Sequence, residues 1–215
     1  MEQVILGVKK FQQEIYPEKH ALFESLAKRQ NPEILFITCS DSRIDPSLIT
    51  QTEPGSMFMI QNLGNIIPPY GTPYGGTGAS IEYAVTVLNV RHIIVCGHTC
   101  CGAMSALLDA RLARDIPVIR QWISYADSTL AIVQAAAGQL RTQEERMSFC
   151  IEQNVNVQMT HLKTIPSVAA RLSSGQISVH GWVYHIETGS VDVFSTDAGK
   201  FVSFEQAYPA PVLVY

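Results

Sequence analysis

Two short stretches hold most of the residues able to do chemistry. They are Cys39-Ser40-Asp41-Ser42-Arg43 and Gly97-His98-Thr99-Cys100-Cys101-Gly102. Thiolates and imidazoles are zinc ligands, and three protein donors with one position left open is the pattern of catalytic zinc. Cys39 and Asp41 lie two apart and point the same way if extended. His98 and Cys101 lie three apart, a spacing that wraps one metal at a turn; spacing alone leaves Cys100 as an alternative to Cys101. Arg43 is always charged and grips a carboxylate with two parallel hydrogen bonds, which suits it to hold Asp41 ionised and aimed. A cysteine-phosphatase loop needs five residues between Cys and Arg, and only three separate Cys39 from Arg43. Gly75-Gly-Thr-Gly78 opens a helix but lacks the remaining glycine or lysine of a nucleotide loop, so it reads as a tight turn.

These stretches need rigid elements behind them. Residues 33–39 hold four apolar residues in a row, Ile34 to Ile37, and 92–96 hold another four, Ile93 to Cys96, as in strands buried on both faces of a parallel sheet. Both candidate turns follow such a run at its carboxyl end, where open α/β sheets build their sites. Residues 57–60 read as a shorter strand, 62–78 as loop, and 79–89 and 101–111 as helices, which gives strand–helix–strand units. Two long helices are expected over 115–137 and 142–161, with Gly138 as a C-cap between them, and a short helix over 164–171. Residues 177–186 and 191–194 alternate and flank a Thr188–Gly189 turn, an edge hairpin. Before all this, Val4, Ile5, Val8, Phe11 and Ile15 recur at helical spacing, and Leu22, Phe23 and Leu26 line a second helix. The expected fold is α/β: a mainly parallel central sheet with flanking helices, an N-terminal helical arm over 1–30, and an antiparallel edge hairpin, all in one domain over 1–215. The apolar end Pro211-Val-Leu-Val-Tyr215 needs cover.

The 215 residues suit one ordinary domain with its own core. With 47% hydrophobic and 16% charged residues, disorder is excluded, and the low charge hints at surface covered by a second copy. A net charge of −4 argues against nucleic acid as a partner. No apolar run approaches the ~18 residues of a membrane span, and residues 1–20 carry no secretory pattern. Five cysteines, an odd number in no disulfide framework, point to a reducing, cytoplasmic setting.

The chain resembles the β-class carbonic anhydrases of plants and cyanobacteria. The resemblance is carried by Cys39-Ser-Asp-Ser-Arg43, Gly64-Asn-Ile-Ile-Pro-Pro69, Gly76-Thr-Gly78 with Ile81-Glu-Tyr83, Gly97-His98-x-x-Cys101-Gly102 and His180-Gly-Trp182, over about residues 34–186. It implies zinc held by Cys39, His98 and Cys101, and a catalytic pair of Asp41 and Arg43. It also implies a carbon dioxide and bicarbonate pocket lined by Gln30, Phe58, Leu63, Tyr83 and Gly102. In that family the pocket is built across a dimer, so some lining residues serve the partner's site. The implied reaction is attack of zinc-bound hydroxide on carbon dioxide, oriented by Asp41–Arg43. Two thiolates and a neutral histidine leave zinc with no formal charge, so its water is less acidic than the ~7 reached with three histidines. Asp41 either accepts from that water or becomes a fourth ligand that closes the site.

Two departures stand out. Gln61 replaces a frequent Arg, and Phe36 replaces the Trp of the bicarbonate-inhibited bacterial subtype, so no sharp inactivation by bicarbonate is expected. Rival readings are hydrolysis of carbonyl sulfide or carbon disulfide, disfavoured by Ser40 where such members carry Met, and a non-catalytic zinc scaffold. Carboxysome association stays open, although no long C-terminal extension for shell docking is seen. The apolar arm and tail predict a homodimer or a dimer of dimers. His20, His92, His161, His180 and His185 are unranked proton-export candidates, Cys96 and Cys150 read as buried core thiols, and the Met, Tyr and Gln residues of 115–161 read as packing.

Overall fold

In the computed structural model, residues 1–73 and 75–209 are described. The Pro211–Tyr215 tail, and the burial expected of it, lie outside the described residues. Six strands form one sheet in the order β2-β1-β3-β4-β5-β6. β1 (Ile34–Cys39), β2 (Met57–Asn62), β3 (His92–His98) and β4 (Ser178–Tyr184) run parallel; β5 (Val191–Ser195) and β6 (Lys200–Ser203) are antiparallel. The unbroken apolar runs become the two central strands. Leu35, Phe36, Ile37, Ile93 and Val95 are fully buried because both faces of β1 and β3 are covered.

Leu35, Ile37, Ile93 and Val95 share the larger core with Ile81, Ala84 and Val85 of the Gly76–Thr86 helix and Ile151 and Val155 of the Gln143–Thr164 helix. Phe36, Ile94 and Cys96 form a smaller cluster with Trp182 and Tyr184 on the other face. The long helix crosses β3 and β4 where both carry glycine. A Cβ at Gly97 would stand 2.9 Å from Val155, and one at Gly181 2.8 Å from Met159. Thr142 and Glu145 close a capping box at its start, one residue from the expected boundary.

Several expected boundaries move for local reasons. β2 continues to Asn62, which pairs with Cys39, and Leu63–Asn65 form a 3-10 turn where only loop was expected. The helix expected at 79–89 spans Gly76–Thr86; extended Gly75 caps its start, and Asn89 leaves it in a left-handed conformation. The helix expected at 101–111 stops at Leu108, and a 3-10 turn, Ala110–Ala113, capped by the Asp109 side chain follows. The 115–137 helix is broken into Pro117–Ile123 and Asp127–Ala135 by a 3-10 turn at Ser124–Ala126. Gly138 is no C-cap: the helix ends at Ala135, and Ala136 and Ala137 N–H bonds to Ile132 and Gln134 carbonyls close it without a left-handed residue. The last predicted helix runs Pro166–Ser173. β6 extends the edge hairpin after a turn at Gly199 (φ +64°).

The arm is helical from Glu2, through a π-helical stretch at Phe11–Ile15, to Glu18, and then over His20–Lys28. Its apolar face is uncovered: Val4, Ile5, Leu6, Val8 and Phe11 are all exposed. Among the described residues, no helix is long and apolar enough to cross a membrane.

Candidate metal centre

β1 and β3 are neighbours, so the turns that follow them sit side by side. Cys39 ends β1, His98 ends β3, and Cys101 caps the Gly102–Leu108 helix. The turn between His98 and Cys101 passes through Cys100 in the left-handed region (φ +56°), which returns the chain toward β1. The donor atoms of Cys39, His98 and Cys101 all lie within 4.8 Å of one another, and all three residues are buried. Cys100 is exposed and outside this group.

The donors are prepared for a cation. His98 Nδ1 lies 2.8 Å from the Thr99 carbonyl, which places a proton on Nδ1 and the lone pair on Nε2. That Nε2 is buried without a hydrogen-bond partner among the described residues, an orphan that a metal would satisfy. The Cys39 sulfur accepts the Gly64 N–H at 3.4 Å. The neighbouring Cys101 thiol pulls Cys39 down to about 4 against the opposing effect of burial, with His98 and the Gly64 N–H helping. Cys101 moves up, because its thiol donates to Cys39 and is buried. Two sulfurs and one imidazole, with no fourth protein donor in the group, fit tetrahedral zinc with an open position.

Asp41 and Arg43 form a fork at the rim. Asp41 Oδ1 accepts from the Arg43 backbone N–H at 3.0 Å and Nε at 2.9 Å, and Oδ2 accepts from Nη2 at 2.8 Å. Nη2 also donates to the Cys100 carbonyl at 3.1 Å. The fork, chiefly the side-chain bonds from Arg43, holds the Asp41 carboxyl well below the usual carboxylate range. Asp41 Oδ2 lies 4.0 Å from His98 Nε2.

The loop after β2 reaches the Cys39 sulfur through the Gly64 N–H, and four side chains hold it in place, of which only Gln158 was expected to serve packing and His161 was a proton-export candidate. Trp122 Nε1 donates to the Leu63 carbonyl at 2.7 Å. Along the long helix, Asn154 Nδ2 donates to the Gly64 carbonyl (3.0 Å), Gln158 Oε1 accepts the Ile67 N–H (2.8 Å), and His161 Nδ1 bonds the Ile67 carbonyl (2.8 Å). Gln158 Nε2 donates to Asn154 Oδ1 at 2.9 Å, so the two side chains support each other. Positions 154, 158 and 161 share one helix face with buried apolar residues. Amides at helical spacing on a buried stripe are the signal that marks them.

The pocket candidates divide. Leu63 and Gly102 flank the centre directly in sequence, beside Gly64 and Cys101. Gln30 Nε2 reaches the Tyr83 hydroxyl at 3.5 Å, and the Phe58 and Tyr83 rings lie 5.9 Å apart. Phe58 pairs with Leu35, four residues before Cys39, which puts this second cluster about 13 Å down the strand from the sulfurs. The fold does not bring Gln30, Phe58 and Tyr83 to the metal centre of the same chain. Of the other histidines, His92 and His180 share the Ser178 hydroxyl at 2.7 and 2.8 Å at the opposite end of the strands, and His185 pairs with Asp192 at 2.9 Å.

Comparison with known proteins places this arrangement. The family described as carbonic anhydrase matches residues 34–191. A carbonic anhydrase of Pseudomonas aeruginosa is 43% identical over 206 residues, covering 96% of this chain and 93% of its own length. One of Synechococcus elongatus is 45% identical over 192 residues, covering 89% of this chain and 70% of its own. Among solved structures, the β-carbonic anhydrase CcaA superposes with a TM-score of 0.91 at 42% identity, covering 94% of this chain and 98% of that one. A structure of two tetrameric β-carbonic anhydrases from Sordaria macrospora gives 0.76 at 28% identity, over 90% and 93% of the two chains.

Proposed function

This chain belongs to the β-class carbonic anhydrases, enzymes whose general activity is carbon dioxide hydration, and from that premise we propose that it converts carbon dioxide reversibly to bicarbonate and a proton with zinc held by Cys39, His98 and Cys101. The observation that supports this most is the buried three-donor group with an orphaned His98 Nε2, beside a carboxylate that an arginine holds ionised. Bound zinc supplies the Lewis acid that lets water lose a proton near neutral pH.

The protein's own residues do the rest. Asp41, ionised in the fork, accepts a hydrogen bond from the attacking water and turns its lone pair toward the carbon. Because Arg43 is also tied to the Cys100 carbonyl, Asp41 is held in the fork with Oδ2 4.0 Å from His98 Nε2, beside the place where zinc would bind and activate water. Leu63 lines an apolar approach suited to carbon dioxide. We assign Gln30, Phe58 and Tyr83 to the site of a second copy. The uncovered face of the arm supports self-association as a dimer or a dimer of dimers.

Stopped-flow carbon dioxide hydration as a function of pH, on protein with zinc quantified, tests the reading. A fast rate that rises with pH is expected; one zinc per chain with no rate at any pH refutes it. A light-scattering mass near the 23.7 kDa of one chain at micromolar concentration would refute the oligomer. With Phe36 and Gln61 in place, bicarbonate should not inactivate the enzyme sharply, and a steep cooperative loss would overturn that expectation.

A further inference from the structure

Asn154 and Gln158 are 1% and 0% exposed, and both commit their amides to hydrogen bonds. Their amides bond each other and the backbone of the 64–67 loop. Thr129 adds its hydroxyl at 3.4 Å from Asn154 Oδ1. Buried amides cost stability unless bonded, and this pair is bonded to the loop whose Gly64 N–H reaches the Cys39 sulfur. Gly64 can make that approach only as glycine. Its φ is +76°, and a Cβ there would stand 2.8 Å from Ala103 Cβ. With so little freedom in the residue itself, its placement depends on what holds its carbonyl and the carbonyl and N–H of Ile67.

We propose that Asn154 and Gln158 are positioning residues for the metal centre: by tethering the Gly64 and Ile67 backbone from the long helix, they fix the Gly64 N–H on the Cys39 sulfur. The inference rests on Cys39 being a metal ligand. It extends that reading by two residues that touch neither metal nor substrate. An N–H on a thiolate draws charge from the sulfur, so a zinc with two thiolates keeps more of its acidity than its donor count allows. The tether is thus a tuning element as well as a brace.

The test uses the full chain loaded with cobalt(II) in place of zinc. Sulfur-to-cobalt charge transfer needs more energy when an N–H holds the sulfur lone pair. In Asn154→Leu, which leaves the Gly64 carbonyl without its donor, the band should move to longer wavelength, and metal retention against a chelator should fall roughly ten- to hundredfold. Asn154→Ser, too short to span, should do the same. Trp122→Phe frees the Leu63 carbonyl on the same loop but leaves the Gly64 tether, and should leave the band unmoved. An unmoved band in folded Asn154 variants overturns the proposal. So does an equal shift in Trp122→Phe, or failure of both Asn154 variants to fold, since the amides would then serve the fold alone. If the wild-type chain itself shows no thiolate band with cobalt, it is the metal assignment that fails.

Discussion

The chain makes the same Asp-x-Arg fork twice. In Asp109–Arg111, Oδ1 accepts the Arg111 backbone N–H at 3.1 Å and Nε at 2.8 Å, and Oδ2 accepts Nη2 at 2.7 Å. Asp41–Arg43 has the same three bonds within 0.1 Å. The surroundings differ. The Arg111 side chain is 87% exposed, whereas Asp41 is 16% exposed and Arg43 is pinned by the Cys100 carbonyl. Both arginines lower their aspartates. Local sequence therefore makes a fork, and position makes it chemical. Asp41 follows a buried strand end beside His98, while Asp109 caps a surface turn.

The comparison can be broken most directly at the carboxylates. Asp41→Asn should cut the hydration rate by roughly 10²–10⁴-fold, the usual contribution of a positioned proton acceptor, while Asp109→Asn stays within about twofold. Stopped-flow rates decide it, and an Asp41→Asn rate within twofold of wild type would remove Asp41 from the mechanism. The arginines should differ less. Arg43→Lys loses the bidentate grip and should cost about tenfold, with no change for Arg111→Lys. At Cys100 the carbonyl, not the thiol, holds the fork. Cys100→Gly should keep activity within about twofold and relieve a left-handed strain of roughly 1 kcal/mol, visible as an unchanged or raised melting temperature. Loss of bound zinc in that variant would make Cys100 a ligand after all.

The smallest effect concerns acid. Arg111 lowers Asp109 in the folded state, so its contribution to stability is present above the unfolded pKa of about 3.9 and is lost as pH falls below it. The melting-temperature gap between wild type and Asp109→Asn should narrow from about pH 5 to about pH 3. A gap that widens would show that the surface fork opposes folding.

Much of this was legible from residue types alone. Continuous apolar runs identify β1 and β3, and an Asp two residues before an Arg makes its fork locally. The donors therefore come together from two short segments on adjacent strand ends. What stayed hidden depends on distant partners. Gln158 reads as packing and Asn154 carries no signal of its own until the 64–67 loop is laid against them. β6 is four residues at an edge, too short for alternation to register. The break near Ser124 arises where the Ser124 hydroxyl bonds the Gln121 carbonyl, a local competition that apolar periodicity does not register. Gln30 and Phe58 each meet Tyr83, but only the register of β2 on β1 reveals how far along the strand they lie.

Thr38 donates to the Cys96 carbonyl across 58 positions of sequence, and the metal donors are divided by that same junction. A chain leaving the ribosome offers Cys39 alone, and later His98 with Cys101; neither is a three-donor site. Parallel pairing that must close so long a loop is slow, because the entropy of closure comes before any contact rewards it. A metal held by these three donors would be captured late, once the sheet has zipped, and an incomplete or misfolded chain would have little to hold it. On the proposed reading, retained metal would therefore report that the two central strands have found each other.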